Sequence, residues 1–435
     1  MKSKKIHPYI IIILTFLGVI LCGTILLLMP FASKSGKSFG FVDSLFMATS
    51  AVCVTGLSVM NISASMTVYG KVVMCILMEI GGLSFLTIAV FFFTIIGAKI
   101  GVSNRFLLKE ALNQNSVKGI VSLVKRIITI SFIIQSIGTV INMFSLMPYC
   151  DYQFFTALGY SVFHSVASFN NAGFDLFGAE SMIGFADDII LNSSTMLLII
   201  FGGLGFVVLD DIIKSKRWKK FNLHTKITLI ISLILIVTGT LLIKLSMNDL
   251  TWLQALFTAI TSRTAGFTTF DMSTLSPAAY IVVLCLMFIG ASPCSTGGGI
   301  KTTTLAIVIL AVIYFARGKK TRAFHRRIPD SSIFKAFVLF TVAVLVVLTG
   351  TFLIAVIQPE LGLKETLFEV TSAFSTTGLS MGITTSLNWV NRLIISLLML
   401  FGRLGPLTVI GVVNKNWMTE SKEQIQYVEE RVIIG

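Results

Sequence analysis

Charged residues are scarce in this chain, and their scarcity excludes a soluble protein. Asp, Glu, Lys and Arg together make up 12% of the 435 residues, whereas a soluble domain carries roughly 25%. Hydrophobic residues make up 55%. The composition therefore predicts an integral membrane protein, and a soluble enzyme is excluded.

Histidine and paired cysteine are also in short supply. The four histidines are scattered, and the six cysteines show no paired spacing: Cys22, Cys53, Cys75, Cys150, Cys285 and Cys294. Most of these cysteines lie in apolar runs, where cysteine behaves as a small hydrophobe. We expect no disulfide, no metal site beyond a transported ion and no organic cofactor. No nucleophile–base set points to an enzyme either.

Long apolar segments take the place of the missing charge. A transmembrane helix needs about 20 mostly apolar residues. Eight segments meet that requirement: residues 9–29, 72–96, 120–147, 189–209, 227–245, 280–315, 333–357 and 390–413. The first is too long for a signal peptide and lacks an Ala-x-Ala cleavage site, so we predict that it is a helix.

Basic residues cluster in alternate loops. Residues 2–5, 99–126, 214–226, 317–335 and the tail after 413 hold 25 of the 34 lysines and arginines, and acids dominate the other loops. The positive-inside bias predicts that both termini are cytoplasmic, consistent with an even number of spans. The net charge of +14 thus reflects topology, and we expect a lipid bilayer rather than nucleic acid as the partner.

Four short stretches, each ending in glycine followed by Leu or Phe, recur along the chain. Residues 49–58 and 371–380 are identical at seven of ten positions, although 322 residues separate them. Looser copies lie at residues 166–174 and 259–267. A motif repeated in order indicates a repeated structural unit.

A short segment on the acidic side precedes each stretch. Residues 42–52, 153–169, 252–262 and 364–374 each hold about 10 apolar or small residues before the polar stretch, too few to cross a bilayer. The predicted unit is helix, half-helix, loop, helix. It occurs four times, in residues 1–98, 99–214, 215–318 and 319–418, before a tail at 419–435.

A second set of glycines supports this register. Each falls in the second helix of its unit, and the offsets from the glycine that ends the stretch are 25, 29, 24 and 24 residues. These glycines are Gly81-Gly82, Gly202-Gly203, Gly290 and Gly402. A single one would only permit close helix packing, but four at nearly constant offset favour a shared unit.

Re-entrant loops of this kind suit a cation pathway. Irregular backbone at membrane depth is tolerated only where protein buries it or where it lines water. Rings of carbonyl oxygens replace the hydration shell of an alkali cation, and glycine turns such carbonyls without a Cβ penalty. None of the four loops contributes Asp or Glu. This absence favours a large, weakly hydrated ion such as K⁺ over a divalent cation.

The four unequal repeats, with Thr-Ser-Arg-Thr-Ala-Gly-Phe at residues 261–267 in the third, resemble the Trk/Ktr/HKT superfamily of potassium transporters. The length resembles that of the membrane subunit of bacterial Ktr systems. The resemblance implies an all-α integral membrane fold with eight transmembrane helices, four re-entrant pore loops and pseudo-fourfold symmetry around a central ion pore. K⁺ is then the expected transported ion, because all four filter positions are Gly. A Na⁺-selective or Na⁺-coupled relative stays the alternative.

The resemblance implies a selectivity filter at residues 52–56, 169–173, 262–266 and 374–378. The ion-binding candidates are Val52, Cys53, Val54, Thr55, Gly56, Asn170, Asn171, Ala172, Gly173, Arg263, Thr264, Ala265, Gly266, Ser375, Thr376, Thr377 and Gly378. Arg263 departs from the small side chains of this set. We expect its carbonyl to serve the pore and its guanidinium to point away.

The last apolar segment of the third unit should break in its middle. Its 36 residues would make a helix of about 54 Å, and Pro293 with three consecutive glycines cannot continue a regular helix. The resemblance implies that the resulting loop obstructs the pore beneath the filter as a gate; a packing kink is the alternative. The gate candidates are Gly290, Ala291, Ser292, Pro293, Cys294, Ser295, Thr296, Gly297, Gly298, Gly299, Lys301 and Arg403.

Three ionisable residues, Glu79, Lys301 and Arg403, lie at membrane depth, where such residues are costly and usually functional. We expect Arg403 to donate to loop carbonyls, with pairing to a carboxylate as the alternative. Glu79 is expected to be a structural partner. The resemblance further implies a homodimer with the C-terminal tail at its interface. It also implies a cytoplasmic ring of nucleotide-binding regulatory subunits, and a bacterial cytoplasmic membrane as the location.

Overall fold

The computed structural model describes residues 8–84, 87–91, 119–178 and 181–405. The predictions for the N-terminal lysines, for most of the basic segment 99–126 and for the tail beyond residue 405 lie outside these residues. Helices dominate the described part, and one short hairpin of β1 (Arg322–Ala323) and β2 (Arg326–Arg327) pairs Arg322 with Arg327.

Three kinds of helix recur in the same order. The long helices are α1 (Pro8–Leu28), α5 (Ile120–Tyr149), α9 (Leu223–Ser246) and α13 (Asp330–Ile357). The half-helices are α2 (Phe41–Val52), α6 (Phe154–Phe169), α10 (Trp252–Thr261) and α14 (Leu363–Ser375). The second helices are α4 (Val68–Leu83), α7 (Ile189–Leu204), α11 (Pro277–Phe288) and α15 (Trp389–Leu404). The half-helices start and end within one residue of the predicted segments.

Smaller elements connect these helices. They are α3 (Ile62–Ser65), α8 (Phe206–Ser215), α12 (Thr302–Ala316) and the 3₁₀ turns Pro30–Ala32, Ile183–Phe185, Trp218–Lys220, Met272–Thr274 and Thr384–Ser386. The prediction that residues 280–315 break into two helices is confirmed, since α11 ends at Phe288 and α12 begins at Thr302.

The second helices begin with the same local chemistry. In each one the side chain before the helix accepts a hydrogen bond from the backbone N–H three residues later, which satisfies a donor that the helix itself leaves free. The capping residues are Thr67, Asp188, Ser276 and Asn388. The four starts are therefore encoded locally in the sequence.

The second helices are shorter than the apolar segments predict. Three of them end just before a residue with positive φ: Ser84 at 69°, Gly205 at 93° and Gly405 at 78°. A right-handed helix cannot continue through that conformation. At Gly205 the chain bends by 94° into α8, so the predicted segment 189–209 consists of two helices at an angle rather than one continuous helix. Within the described ranges, four helices are long and apolar enough to cross a membrane, or five if α7 and α8 form one bent span.

The units pack in a closed cycle. The second helix of each unit contacts the half-helix of the next: α4 meets α6, α7 meets α10, α11 meets α14, and α15 returns to α2. An ion pair between Arg392 of α15 and Asp43 of α2 joins the last unit to the first. The half-helices are thereby held on the inside.

Burial follows this arrangement. Each half-helix carries a buried phenylalanine, namely Phe46, Phe163, Phe257 and Phe368. Each long helix instead exposes large apolar side chains, such as Leu21, Ile137, Leu233 and Phe352. An apolar exterior around an interior with many buried hydroxyls and amides is typical of a protein whose solvent is lipid. The chain is accordingly a multi-pass membrane protein.

Candidate functional site

Four glycines from the four units lie against one another in chain order. A Cβ atom added to any of them would collide with the carbonyl oxygen of the residue just before the next glycine. The pairs are Gly56 with Ala172, Gly173 with Ala265, Gly266 with Thr377, and Gly378 with Thr55. The order closes on itself, because the fourth glycine meets the first loop. The four stretches therefore surround one centre, and no residue with a side chain fits at the four contacts.

The four stretches share the same strained backbone conformation at the centre. All four glycines have φ between 66° and 96°, a region that favours glycine. Two residues before each glycine, a residue with a side chain also has positive φ: Val54 (51°), Asn171 (57°), Thr264 (80°) and Thr376 (51°). Positive φ is rare for non-glycine residues, above all β-branched ones, and such strain clusters at functional sites.

Hydrogen bonds from the half-helix ends hold this backbone. The N–H of Gly56 donates to the Ser50 hydroxyl at 3.2 Å, and the N–H of Gly378 donates to the Ser372 hydroxyl at 3.0 Å. Ser50 and Ser372 belong to the near-identical first and fourth stretches. In the third unit the Thr261 hydroxyl instead donates to the carbonyl of Phe267 at 2.8 Å. The sequence similarity of the first and fourth stretches thus reflects the same bonds.

In three units, a glycine of the second set packs the second helix closely against the C-terminal end of the half-helix. A Cβ on Gly81 would overlap the carbonyl oxygen of Val52, with equivalent overlaps between Gly202 and Phe169 and between Gly402 and Phe374. These carbonyls belong to the last or last but one residue of α2, α6 and α14. Gly290 is different, because its Cβ would meet the carbonyl of Gly298 in the loop that follows α11. The predicted register is correct for three units, and the third has exchanged this contact for another.

Arg263 turns its guanidinium away from the ring. Its Nη2 donates to the Ser232 hydroxyl at 3.2 Å, and its Nη1 lies 3.4 Å from the Ser232 carbonyl oxygen, both on α9. Its backbone stays within the third stretch. This geometry agrees with the expectation that only the main chain of Arg263 faces the centre.

The segment between α11 and α12 lies directly against the stretches, at the end where the half-helices terminate. The Gly298 N–H donates to the Thr376 hydroxyl at 2.9 Å, and the Thr296 hydroxyl donates to the Phe169 carbonyl at 3.3 Å. Gly297 lies so close to Thr264 that a Cβ would clash with its hydroxyl. The loop therefore contacts three of the four units at once.

Two cationic side chains donate hydrogen bonds to carbonyls of this loop. Lys301 donates to the carbonyl of Gly297 at 2.7 Å. Arg403 donates through Nη1 to the carbonyl of Thr296, and through Nη2 to the carbonyls of Gly81 at 2.5 Å and Gly82 at 3.0 Å. Arg403 thus binds one carbonyl of the loop, as expected, and two carbonyls of α4, and none of the salt bridges among the described residues involves it.

The start of the loop is anchored elsewhere. The Phe206 N–H donates to the Cys294 carbonyl at 2.8 Å, and Gly205 passes close to the carbonyl of Pro293. The Ser292 N–H donates to the Gly203 carbonyl at 3.1 Å. Residues 291–294 therefore lie on the bend between α7 and α8, whereas residues 296–299 lie at the centre.

Sequence reasoning gave Glu79 no mechanism and did not single out Gln135. In the structure Glu79 accepts hydrogen bonds from Asn170 in the second stretch and from Gln135 on α5. The available signal for Gln135 was an amide side chain within a helix of membrane-spanning length, but Asn142 of the same helix gives the same signal.

Comparison with known proteins identifies the family to which a chain with this geometry belongs. The family model described as "TrkH: Cation transport protein" matches residues 2–424. The chain is 37% identical to the Ktr system potassium uptake protein B of Bacillus subtilis, over 100% of this chain and 98% of that protein. It is also 37% identical to the potassium/sodium uptake protein NtpJ of Enterococcus hirae, over 99% and 98%.

A solved structure supports the fold. The potassium transporter TrkH from Vibrio parahaemolyticus superposes with a TM-score of 0.74 at 18% identity, covering 96% of this chain and 87% of that one. The family is one of transporters rather than enzymes. The chain belongs to the TrkH family of cation transport proteins.

Proposed function

We propose that this chain is the K⁺-translocating subunit of an uptake system, and that K⁺ crosses the membrane through the ring of Gly56, Gly173, Gly266 and Gly378. The closed cycle of glycine contacts carries this proposal. It supports a pseudo-fourfold pore built from eight spans, with the four predicted units as its repeats. The names of the Ktr relatives, potassium uptake proteins, support K⁺ as the ion.

The chemistry of the proposed filter is that of main-chain oxygens. None of the four stretches contains a carboxylate, so carbonyls and hydroxyls must replace the water around the ion. The four half-helices end at the ring, and the partial negative charge of a helix C-terminus favours a cation there. Alternation of positive and negative φ along each stretch lets successive carbonyls point to one side.

The membrane potential is a sufficient driving force. A charge moving inward gains about 2.3 kcal/mol per 100 mV, so net K⁺ accumulation needs no chemical fuel in this chain. Positive-inside bias supports the orientation with both termini in the cytoplasm of a bacterial cell.

The loop of residues 289–301 is the proposed gate. Its contacts with Thr376, Phe169 and Thr264 support a position across the cytoplasmic end of the proposed filter. Arg403 and Lys301 then act as latches that hold its carbonyls in place. Release of these bonds would let the loop move aside.

The proposed assembly has further subunits. The relatives named as Ktr system proteins belong to systems of more than one component. We propose a homodimer regulated by a cytoplasmic, nucleotide-binding partner, as the superfamily resemblance implies.

Sodium is the second candidate ion, because one 37% identical relative is named a potassium/sodium uptake protein. Uptake of radioactive rubidium and sodium into liposomes holding the purified chain, under an inside-negative potential, separates the two ions. We expect rubidium uptake that excess K⁺ suppresses and Na⁺ does not. Sodium uptake that excess K⁺ leaves unchanged would instead favour a Na⁺ transporter.

A matched pair of variants tests the route. Gly378→Ala introduces a Cβ at φ 89° that collides with the Thr55 carbonyl, whereas Gly382→Ala places one at φ 92° in open space. The two changes carry similar backbone strain, but only the first enters the ring. We expect rubidium uptake to fall at least about tenfold in Gly378→Ala and to persist in Gly382→Ala. Equal uptake by both variants would contradict the proposed route.

A further inference from the structure

Glu79 is a carboxylate on α4 that reaches the filter stretch of the next unit. Asn170 donates through Nδ2 to its Oε2 at 2.6 Å, and Gln135 donates through Nε2 to its two oxygens at 3.2 and 3.1 Å. None of the salt bridges within the described ranges involves Glu79. Its observed hydrogen-bond partners are therefore neutral amides, and its negative charge is not cancelled by direct contact.

The amide that touches Glu79 is itself fixed in place. Asn170 is the first residue after α6, and its Nδ2 also donates to the Val166 carbonyl at 3.0 Å. Gly82, one turn after Glu79 on α4, leaves room for the Asn170 side chain, since a Cβ there would overlap its Oδ1. Asn170 is thus held between Glu79 and Gly82. The carboxylate is coupled to the second stretch through one immobilised side chain.

The charges around the ring are otherwise mostly positive. Arg263, Lys301 and Arg403 bind carbonyl or hydroxyl oxygens rather than carboxylates. A cation in the ring would be repelled by all three, because charges at this depth are weakly screened.

Glu79 lies near the C-terminal end of α4, and one of these cations, Arg403 of α15, binds to that end. Arg403 donates to the carbonyls of Gly81 and Gly82, two and three residues beyond Glu79. A second buried carboxylate, Glu369, binds the hydroxyls of Ser380 and Thr384 in the return loop beyond the fourth glycine. Glu79 is therefore placed to offset positive charge at the filter itself.

From these contacts, and resting on the proposed K⁺ pathway, we infer that Glu79 is a positioning and charge-balancing residue of the filter. Its negative charge raises the affinity of the ring for K⁺ although its side chain stands outside the pore lining. Its hydrogen bond fixes Asn170 at the start of the second stretch. A unit charge within roughly 10 Å of a site, at the effective dielectric of a protein, changes the affinity for a monovalent cation by about tenfold.

The test measures K⁺ affinity without measuring flux. The full-length purified chain is heated in detergent at constant ionic strength while KCl replaces choline chloride, and the KCl concentration that gives half of the maximal rise in Tm is recorded. A ligand that binds only the folded state raises Tm in this way. We expect Glu79→Gln to need about tenfold more KCl than the unsubstituted chain, and Glu79→Asp to stay near it.

Two substitutions at Gln135 test the same charge while Glu79 stays in place. One adds a positive charge beside the carboxylate, and the other adds none. Gln135→Lys sets an ammonium against the carboxylate and should raise the KCl midpoint as Glu79→Gln does, whereas Gln135→Met should leave it unchanged. If Glu79→Gln does not fold, this pair decides the question. Unchanged midpoints in Glu79→Gln or Gln135→Lys would overturn the inference and leave Glu79 a structural residue. If the Tm of the unsubstituted chain does not change with KCl concentration, the proposed K⁺ site itself is overturned.

Discussion

In the first, second and fourth units a glycine of the second helix packs against a carbonyl of the half-helix, whereas in the third unit the corresponding glycine does not. Gly81, Gly202 and Gly402 each lie against a carbonyl in the last turn of α2, α6 or α14. Gly290 presses against Gly298 of its own following loop. A glycine at a similar offset thus packs against a half-helix in three units and against a loop in one.

The difference shows how one of four similar units supplies a loop that the other units do not have. In the third unit helix α11 stops at Phe288 and α12 begins at Thr302, and residues between them contact the stretches through Thr376 and Phe169. The loop is bound by side chains from other units, chiefly Arg403 and Thr376. Its other partners outside its own unit, Phe169 and Gly203, belong to the second unit, so the second and fourth units hold the loop that the third supplies.

The largest expected effect comes from breaking a scaffold contact. Gly402→Ala forces a methyl group into the Phe374 carbonyl, a backbone clash that neighbouring rotamers cannot relieve. We expect a loss of at least about 3 kcal/mol of stability and little monodisperse protein on size-exclusion chromatography. Gly18→Ala in α1, which has nothing within 4 Å, is the matched control and should behave like the unsubstituted chain. A well-folded Gly402→Ala would show that this contact is dispensable.

Gly290→Ala should give a different result, because the clash falls within the loop. The added methyl group would displace Gly298 and weaken its bond to Thr376. We expect folded protein with raised rubidium uptake, measured in liposomes at equal protein. If Gly290→Ala instead fails to fold as Gly402→Ala does, the distinction between the units is lost.

Removal of the Arg403 latch should also raise uptake. Arg403→Ala deletes donors to Thr296, Gly81 and Gly82, and a hydrogen bond from a charged group is worth about 1.5–3 kcal/mol, so roughly tenfold more flux is expected. Arg403→Gln, which keeps an amide donor, should give a smaller increase.

The control for Arg403 removes another arginine of the same helix. Arg392→Ala breaks the ion pair with Asp43 that closes the cycle, and it should lower Tm without raising flux. Unchanged flux in Arg403→Ala would discard the latch.

The smallest effect is expected where two units are most alike. Ser372→Ala removes the hydroxyl that accepts from the Gly378 N–H, and Ser50→Ala does the same for Gly56. Each loss should cost about 1 kcal/mol, seen as a small fall in Tm and a weaker preference for rubidium over sodium. The second unit has alanine, Ala167, six residues before its glycine, so the fold tolerates the change. A different size of effect at the two serines would show that the two stretches are not equivalent.

Local sequence information was enough for the half-helices and for the break in the third unit. Small residues, glycine and Pro293 act on the backbone of their own segment, so their effect on helix ends can be predicted from the local sequence. The bend at Gly205 was missed, because residues 189–209 hold no charged residue or proline and the bend lies against Pro293 and Cys294 far along the chain. The positive φ of Val54 and the link from Glu79 to Asn170 were missed for the same reason: packing between units determines them.

The most direct test of the central claim locates the ion. Crystals of the full-length protein grown in rubidium chloride, with data collected at the rubidium absorption edge, would place bound cations by anomalous scattering. The account predicts a peak at the centre of the ring formed by the stretches that end in Gly56, Gly173, Gly266 and Gly378. A map with no peak there, or with its strongest peaks outside the ring, would contradict it.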